Sequence, residues 1–285
     1  MGDTNISLVH VDGETAEAVS KPIMKLMTHV ARFVEPYHVR RLAHARGDAA
    51  IIEAKAEVEV ARIKDEGGIE LLERALGRFA SVEMNRQVNI EATVESAKRY
   101  LPLTVSEAPV DPDWMATFFD CAKDVSESSL RDLWARLLAA EVATPGVCSK
   151  RTLRTLQDLS PREAAIFAQA CCMSLRAGDT MFLPLFGSSP MGIDFSDCLI
   201  LDNCGLLHGT GSLTFIVNEP TELTFASGEQ IRVSPRTRGD AIPCFGLPPT
   251  ASELSRVVTA VTPEGYIEAV LILLREGPFA DVARL

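Results

Sequence analysis

Between Asp111 and Phe167 the sequence sets one helix boundary after another, and each is followed by large apolar residues at helical spacing. Asp111 offers a capping carboxylate, and Pro112 is already fixed in the backbone angle of a first helical turn. Trp114, Phe118, Ala122 and Val125 then share one face. Ser126 restarts a helix carrying Leu130, Leu133, Trp134, Leu137, Leu138 and Val142, until Pro145-Gly146 stops it. Ser149 opens a short helix with Leu153 and Leu156. In "SPRE", Ser160 caps, Pro161 takes the first position, and Glu163 stands where its side chain can reach back to the cap. Such a layout folds into a small helical body with an aromatic centre. Trp114, Phe118 and Trp134 each gain about 2–3 kcal/mol from burial, and Ser160 and Glu163 are read as structural.

The flanking segments extend this frame. We expect an N-terminal amphipathic helix within 1–35, with Ile23, Met24, Leu26, Met27, Val30, Phe33 and Val34 on one broad face and Pro36 as its stop. Over 36–104 we expect a long helical hairpin with arms of about 45 Å. Its first arm carries a narrow seam of Ile51, Ala54, Val58 and Ala61 up to Gly67-Gly68. Its second arm carries Leu72, Leu76, Phe79, Ile90, Val94, Ala97 and Leu101, interrupted by the polar run "EMNRQVNIE". A central helical domain then covers 105–177. Residues 178–285 mix strand-like runs ("GSLTFIVN", "TELTFASGEQIRV", "DAIPCFGL") with helical ones, and Ser227-Gly228 marks a hairpin tip. That pattern predicts a winged-helix-like α+β domain at the end of a mainly α chain.

The residues of the capped block carry a resemblance. Trp114, Phe118-Phe119, Ala122, Asp124-Val125-Ser126, Leu133-Trp134, Leu138-Ala139, Glu141, Pro145-Gly146, Ser149, Arg151-Thr152-Leu153, Leu156, Leu159-Ser160, Glu163-Ala164 and Phe167 resemble an uncharacterised bacterial family, the domain of unknown function numbered 2806. Upstream, "RQVNIEATVESA" is similar to the family's Arg-Gln-x-Asn-Ile-Glu segment. Downstream, "GLPPTASEL" resembles its Leu-Thr-x-x-Gly-x-Glu-Leu ending without the Thr and the Gly. The resemblance brings no catalytic residues. It implies an association with accessory proteins of phage-defence and abortive-infection loci.

Charge narrows the partners. The chain carries a net −11, yet Lys21, Lys25, Arg32, Arg40, Arg41 and Arg46 stand against Glu35 alone within 21–46. A basic, partly apolar segment on an acidic body calls for anionic lipid, nucleic acid or the acidic face of another copy, with a solvated face as the plain alternative. For nucleic acid, the candidate recognition segment "DFSDCLILDN" is unsuited, because Asp194, Asp197 and Asp202 would face phosphates and no basic residue offsets them. Only Arg232, Arg236 and Arg238, in the expected wing, favour it.

Candidate chemistry is sparse. The seven cysteines are irregularly spaced in a chain without an apolar leader or a spanning run, which fits reduced thiols in a cytoplasm. Cys198, Cys204, His208 and Cys244 are a candidate zinc set with non-standard spacing. Arg32 and His38 are a candidate ribonuclease pair, a cation for the scissile phosphate and a proton-transfer group, with Pro36 breaking the helix between them. No phosphate loop, dinucleotide fingerprint or serine-hydrolase elbow occurs.

We therefore expect a non-enzymatic, cofactor-free interaction protein of the bacterial cytoplasm. It oligomerises through the 37–101 hairpin and the 16–34 helix, with Lys21, Lys25, Arg40, Arg41, Ala54 and Val58 as interaction residues, and by resemblance takes a partner from an anti-phage defence locus. The alternatives are a winged-helix DNA-binding regulator, an effector at the inner membrane surface acting through 21–46, and a ribonuclease toxin centred on Arg32 and His38.

Overall fold

A computed structural model describes residues 21–31, 66–185 and 193–285, with backbone alone at 66–69 and 210–212. The chain divides into two compact units, Met1–Val147 and Cys148–Leu285.

In the first unit, residues 21–31 form helix α1, which buries Pro22, Leu26, His29 and Val30 and leaves Met24 and Met27 exposed. Helix α2 runs from Glu66 to Ala97 and ends in a 3-10 turn, Lys98–Tyr100. Helices α3 (Pro112–Ala122) and α4 (Ser128–Ala143) follow. The local signals act as expected at α3, where the Asp111 carboxylate accepts from the Asp113 N–H at 2.9 Å. At α4 the cap is Glu127 rather than Ser126, accepting from the Leu130 N–H at 2.8 Å. Trp114 stacks on Phe118 with ring centres 5.3 Å apart, and Phe118 meets Trp134 edge-on at 5.4 Å. Phe118 and Trp134 are fully buried, and the C-terminal half of α2 closes over this centre with Ile90, Val94 and Ala97. Tyr100 donates to Asp132, Arg136 donates to the same carboxylate at 2.9 Å, and the Arg136 guanidinium lies 4.5 Å over the Tyr100 ring. These contacts fasten the end of α2 to α4. Gly146, at φ +87°, turns the chain out of α4 and donates its N–H to the buried Glu141 at 2.6 Å.

The second unit begins with α5 (Lys150–Asp158), capped by Ser149, and α6 (Pro161–Met173), where Ser160 and Glu163 form the expected capping box. A seven-stranded antiparallel sheet follows: β1 Leu175–Ala177, β2 Thr180–Pro184, β3 His208–Val217, β4 Thr221–Phe225, β5 Gln230–Pro235, β6 Asp240–Leu247 and β7 Phe279–Arg284. Their order is β3-β6-β2-β1-β4-β5-β7. Helix α7 (Phe195–Asn203) precedes β3, and α8 (Pro249–Ser255) and α9 (Glu264–Glu276) lie between β6 and β7. Directly paired residues share a face in an antiparallel ladder. The registers therefore place Phe215, Ile242, Phe182, Leu175, Phe225, Ile231, Val233 and Val282 on one continuous apolar face across all seven strands. Phe182 and Phe215 stack at 4.6 Å. The buried Tyr266 of α9 donates to the carbonyl of Met173 at 2.8 Å and ties α9 to the end of α6.

This is a mixed α/β protein, and it overturns the expected mainly α chain with a winged-helix-like end. The three runs read as wing strands are strands of a broad sheet, joined by β1 and β2 and closed by β7. The expected N-terminal helical hairpin is corrected as well: α2 is one continuous helix whose C-terminal half packs into the α3–α4 body, and 32–65 lie outside the described residues.

Two outcomes follow for the first unit. Trp134→Ala lowers the unfolding free energy by ~3–5 kcal/mol. Trp134→Phe costs clearly less, because the buried indole N–H has no acceptor among the described residues. Chemical denaturation of the three proteins checks the order. The Ser129 hydroxyl and the Leu130 N–H hold the Glu127 carboxyl at about 2, below its ordinary 4.5. A depressed carboxyl contributes stability above its unfolded pKa and loses it as pH falls toward the folded one. The stability gap between wild type and Glu127→Gln is therefore widest near neutrality and closes on acidification from 4.5 to about 2, as thermal melts across that range read directly.

Candidate functional site

The surface that stands out is the N-terminal part of α2. Its apolar stripe does not end where the body ends. Ile90 is 4% exposed and Ala97 0%, whereas Phe79, on the same line of the helix, is 44% exposed and Leu71, beside that line, is 60%. Leu76 and Val82 extend the uncovered part, and Met84 and Val88 are exposed on other sides of the helix. At 1.5 Å per residue, the stretch from Glu70 to Val88 is an arm of roughly 28 Å.

The change from covered to uncovered has a definite joint. Arg86 reaches the α3–α4 turn, its Nε donating to Asp124 at 2.6 Å, while its Nη1 donates to Glu83 at 2.7 Å. Asn89 donates to the Lys123 carbonyl at 3.0 Å. Thr93 donates back to the Asn89 carbonyl at 2.8 Å, and Ile90 is buried. Asp124 first, then Glu83, holds the Arg86 guanidinium firmly charged. The polar run "EMNRQVNIE", which interrupts the stripe in the sequence, therefore holds the clamp between α2 and the α3–α4 turn. Beyond it, toward Glu66, the arm carries Glu70 and Glu73 ahead of Arg74 and Arg78, all exposed.

The other sequence-derived candidates are placed separately. Arg32, His38, Arg40, Arg41, Ala54 and Val58 lie outside the described residues. Lys21 is exposed on α1, and the Lys25 ammonium is buried with no hydrogen-bond partner among the described residues. Cys198 is buried on α7 and Cys244 on β6, and His208 stands 3.8 Å from Asp202. The Cys204 thiol meets Glu163, and burial together with that carboxylate pushes it up to about 11. Among the described residues no group of three or more His, Cys, Asp or Glu side chains is arranged to hold a metal ion, and the cysteines form no disulfide. Arg232 pairs with Glu222 at 2.6 Å, and Arg236 donates to the Phe279 carbonyl at 3.0 Å, so these two are fastened within the sheet. Among the described residues, no helix is long and apolar enough to cross a membrane.

The joint at Arg86 was legible as a resemblance but not as a contact, because its partners in the α3–α4 turn, Lys123 and Asp124, lie more than thirty residues away and no local periodicity announces them. The Cys204–Glu163 contact generates a direct test. Glu163→Gln removes the charge that adds to burial in keeping the thiol protonated, so alkylation of Cys204 by iodoacetamide at pH 8–9 speeds up, followed by mass spectrometry of the labelled peptide.

No curated protein and no solved structure matches the chain. The family described as "Protein of unknown function (DUF2806)" matches residues 73–271, which begins on the exposed arm of α2 and ends in α9. The span takes in the Arg86 joint, the aromatic centre, the capping box and all of the sheet but β7. The chain belongs to the DUF2806 family of proteins of unknown function.

Proposed function

We propose that the protein is a non-enzymatic, cytoplasmic interaction protein that self-associates through the exposed arm of α2. The observation that carries this reading is that the apolar line of α2, buried at Ile90, Val94 and Ala97, resumes beyond the polar clamp at Leu76 and Phe79, where it is uncovered. Apolar side chains concentrated on a projecting helix are covered in the working state, since contiguous exposed patches mark contact surfaces.

The charge order along the arm favours a second copy as the cover. In an antiparallel pair related by a twofold axis near Leu76, Glu73 of one copy stands beside Arg78 of the other, and Leu72 and Phe79 meet across the axis. A twofold contact uses the same patch on both copies, so a self-complementary order of charges is what it requires. The membrane-surface reading needs the apolar face of α1 free, and Leu26 and Val30 are already buried. By family resemblance, we further propose a protein partner encoded in an anti-phage defence locus, met by the assembled form.

Light scattering tests the assembly. The wild type is expected to exceed the 30.9 kDa of one chain at micromolar concentration. Leu76→Glu with Phe79→Glu shifts it to smaller species without lowering the melting temperature, since both positions are exposed. A wild type of monomer mass throughout removes the proposal. So does an assembly that the double substitution leaves intact. Flotation of the wild type with anionic vesicles would instead promote the membrane-surface reading.

A further inference from the structure

A second feature lies wholly in the second unit, on the sheet face opposite the continuous apolar one. Arg176 is the middle residue of β1, paired with Met181 of β2 on one side and Thr224 of β4 on the other. On this face the β2 and β6 side is apolar and buried, through Met181, Leu183, Phe245 and Leu247. The β4 and β5 side is polar and exposed, through Glu222, Gln230 and Arg232. Arg176 stands on the border between them, beneath α8, and forms the floor of a cavity of about 300 Å³. Arg256, Ser255, Thr224, Met181 and Val258 are among its walls, and no carboxylate lines it among the described residues.

The guanidinium of Arg176 is engaged only weakly. It donates to the Ser252 and Ser255 hydroxyls, both at 3.3 Å, and approaches the Met181 sulfur at 3.6 Å. Every one of these partners is neutral, and each contact is long. Charge-assisted bonds from arginine to an oxyanion close to about 2.7–2.9 Å and are roughly twice as strong. An arginine presents five donors in a planar fork, so an oxyanion between Arg176 and Arg256 takes up donors that the protein leaves underused. In a chain of net charge −11, two arginines without a carboxylate between them also form a local positive site. Met181 and Val258 give the cavity an apolar wall.

We infer that this cavity binds a small phosphate monoester: the phosphate lies between Arg176 and Arg256 with the Ser255 hydroxyl beside it, and the apolar ester group packs against Met181 and Val258. Two guanidiniums match the three terminal oxygens of a phosphate monoester better than the two of a carboxylate. The volume fits a compact ligand at the small end of known binding cavities. This inference stands apart from self-association through α2, because it uses no residue of the first unit.

Calorimetric titration of the full chain in a phosphate-free buffer tests it, with phenyl phosphate, inorganic phosphate and benzoate as probes. Phenyl phosphate is expected to bind one per chain, more tightly than inorganic phosphate, which lacks the apolar body, and more tightly than benzoate. Arg256→Gln alters an exposed side chain and leaves the melting temperature of the free protein unchanged. It weakens phenyl phosphate by about tenfold or more, the factor that a lost charged hydrogen bond represents. Arg176→Met abolishes binding. No binding of phenyl phosphate at millimolar concentration overturns the inference. Affinity unchanged in Arg256→Gln overturns it too, and tighter binding of benzoate overturns the phosphate assignment.

Discussion

Three residues join the halves of the C-terminal sheet. β1 spans only Leu175–Ala177, yet β2-β6-β3 lies on one side of it and β4-β5-β7 on the other. A strand this short makes few ladder bonds, so its hold comes from what its side chains and its ends do. Leu175 is fully buried on the apolar face between Phe182 and Phe225. One residue before the strand, Ser174 donates back into α6 at the Ala170 carbonyl, and the Met173 carbonyl receives the Tyr266 hydroxyl. After it, Gly178 takes φ +57° and allows a two-residue turn into β2. The strand is thus fixed at both ends and on one face, and its other face is left to a single side chain, Arg176. A long apolar residue there would extend the layer under α8. A guanidinium instead interrupts that layer with a charge.

The first unit is organised by a different economy. Its centre is aromatic, with Phe118 in ring contact with Trp114, Phe119 and Trp134, and α2 adds Ile90, Val94 and Ala97 where it crosses this centre. The Arg86 and Asn89 contacts at the α3–α4 turn mark the last point at which the body holds α2. Those contacts are polar and specific in direction, so they set the angle at which the arm leaves. Apolar packing alone permits sliding along a stripe, whereas a guanidinium on a carboxylate and an amide on a backbone carbonyl fix one register. An arm with a fixed exit can present the same residues in every copy, which a symmetric contact needs.

Much of the helical part was readable from local chemistry. Asp111, Ser149 and the Ser160–Glu163 box act within three residues of themselves, so their meaning is carried by adjacent positions. Trp114, Phe118 and Trp134 were identifiable as core because large aromatics at helical spacing have few other uses. The Ser227-Gly228 tip was legible for the same reason, since the positive φ of Gly228 is a local demand. The sheet was not legible as a whole. β1 is too short to show a period, and β2 reads "TMFLP", buried on both faces and therefore without the alternation that marks a half-exposed strand. β7 follows a helix directly, through Gly277-Pro278, and pairs with β5 some fifty residues upstream. With β1, β2 and β7 unseen, four strands remained, β3, the β4–β5 hairpin and β6, and a hairpin among helices resembles a wing.

The same limit explains why Arg176 escaped the sequence reading while Arg32, His38 and the cysteines attracted it. Motif reasoning looks for reactive types at short spacing, and Arg176 stands alone in "SLRAGD" with Arg256 eighty residues away. Only the sheet order brings them together: β1 must lie between β2 and β4 for Met181 and Thr224 to flank Arg176, and α8 must follow β6 for Ser252, Ser255 and Arg256 to stand above it. Each requirement is a long-range pairing. A site assembled in this way is also sensitive to the fold in a way that a local motif is not. A one-residue slip of β1 would exchange the faces of Leu175 and Arg176, burying the charge in the apolar face and leaving the cavity with Arg256 alone. The desolvation cost of that exchange is large, so the charge that marks the cavity also selects the register of the strand on which the sheet depends.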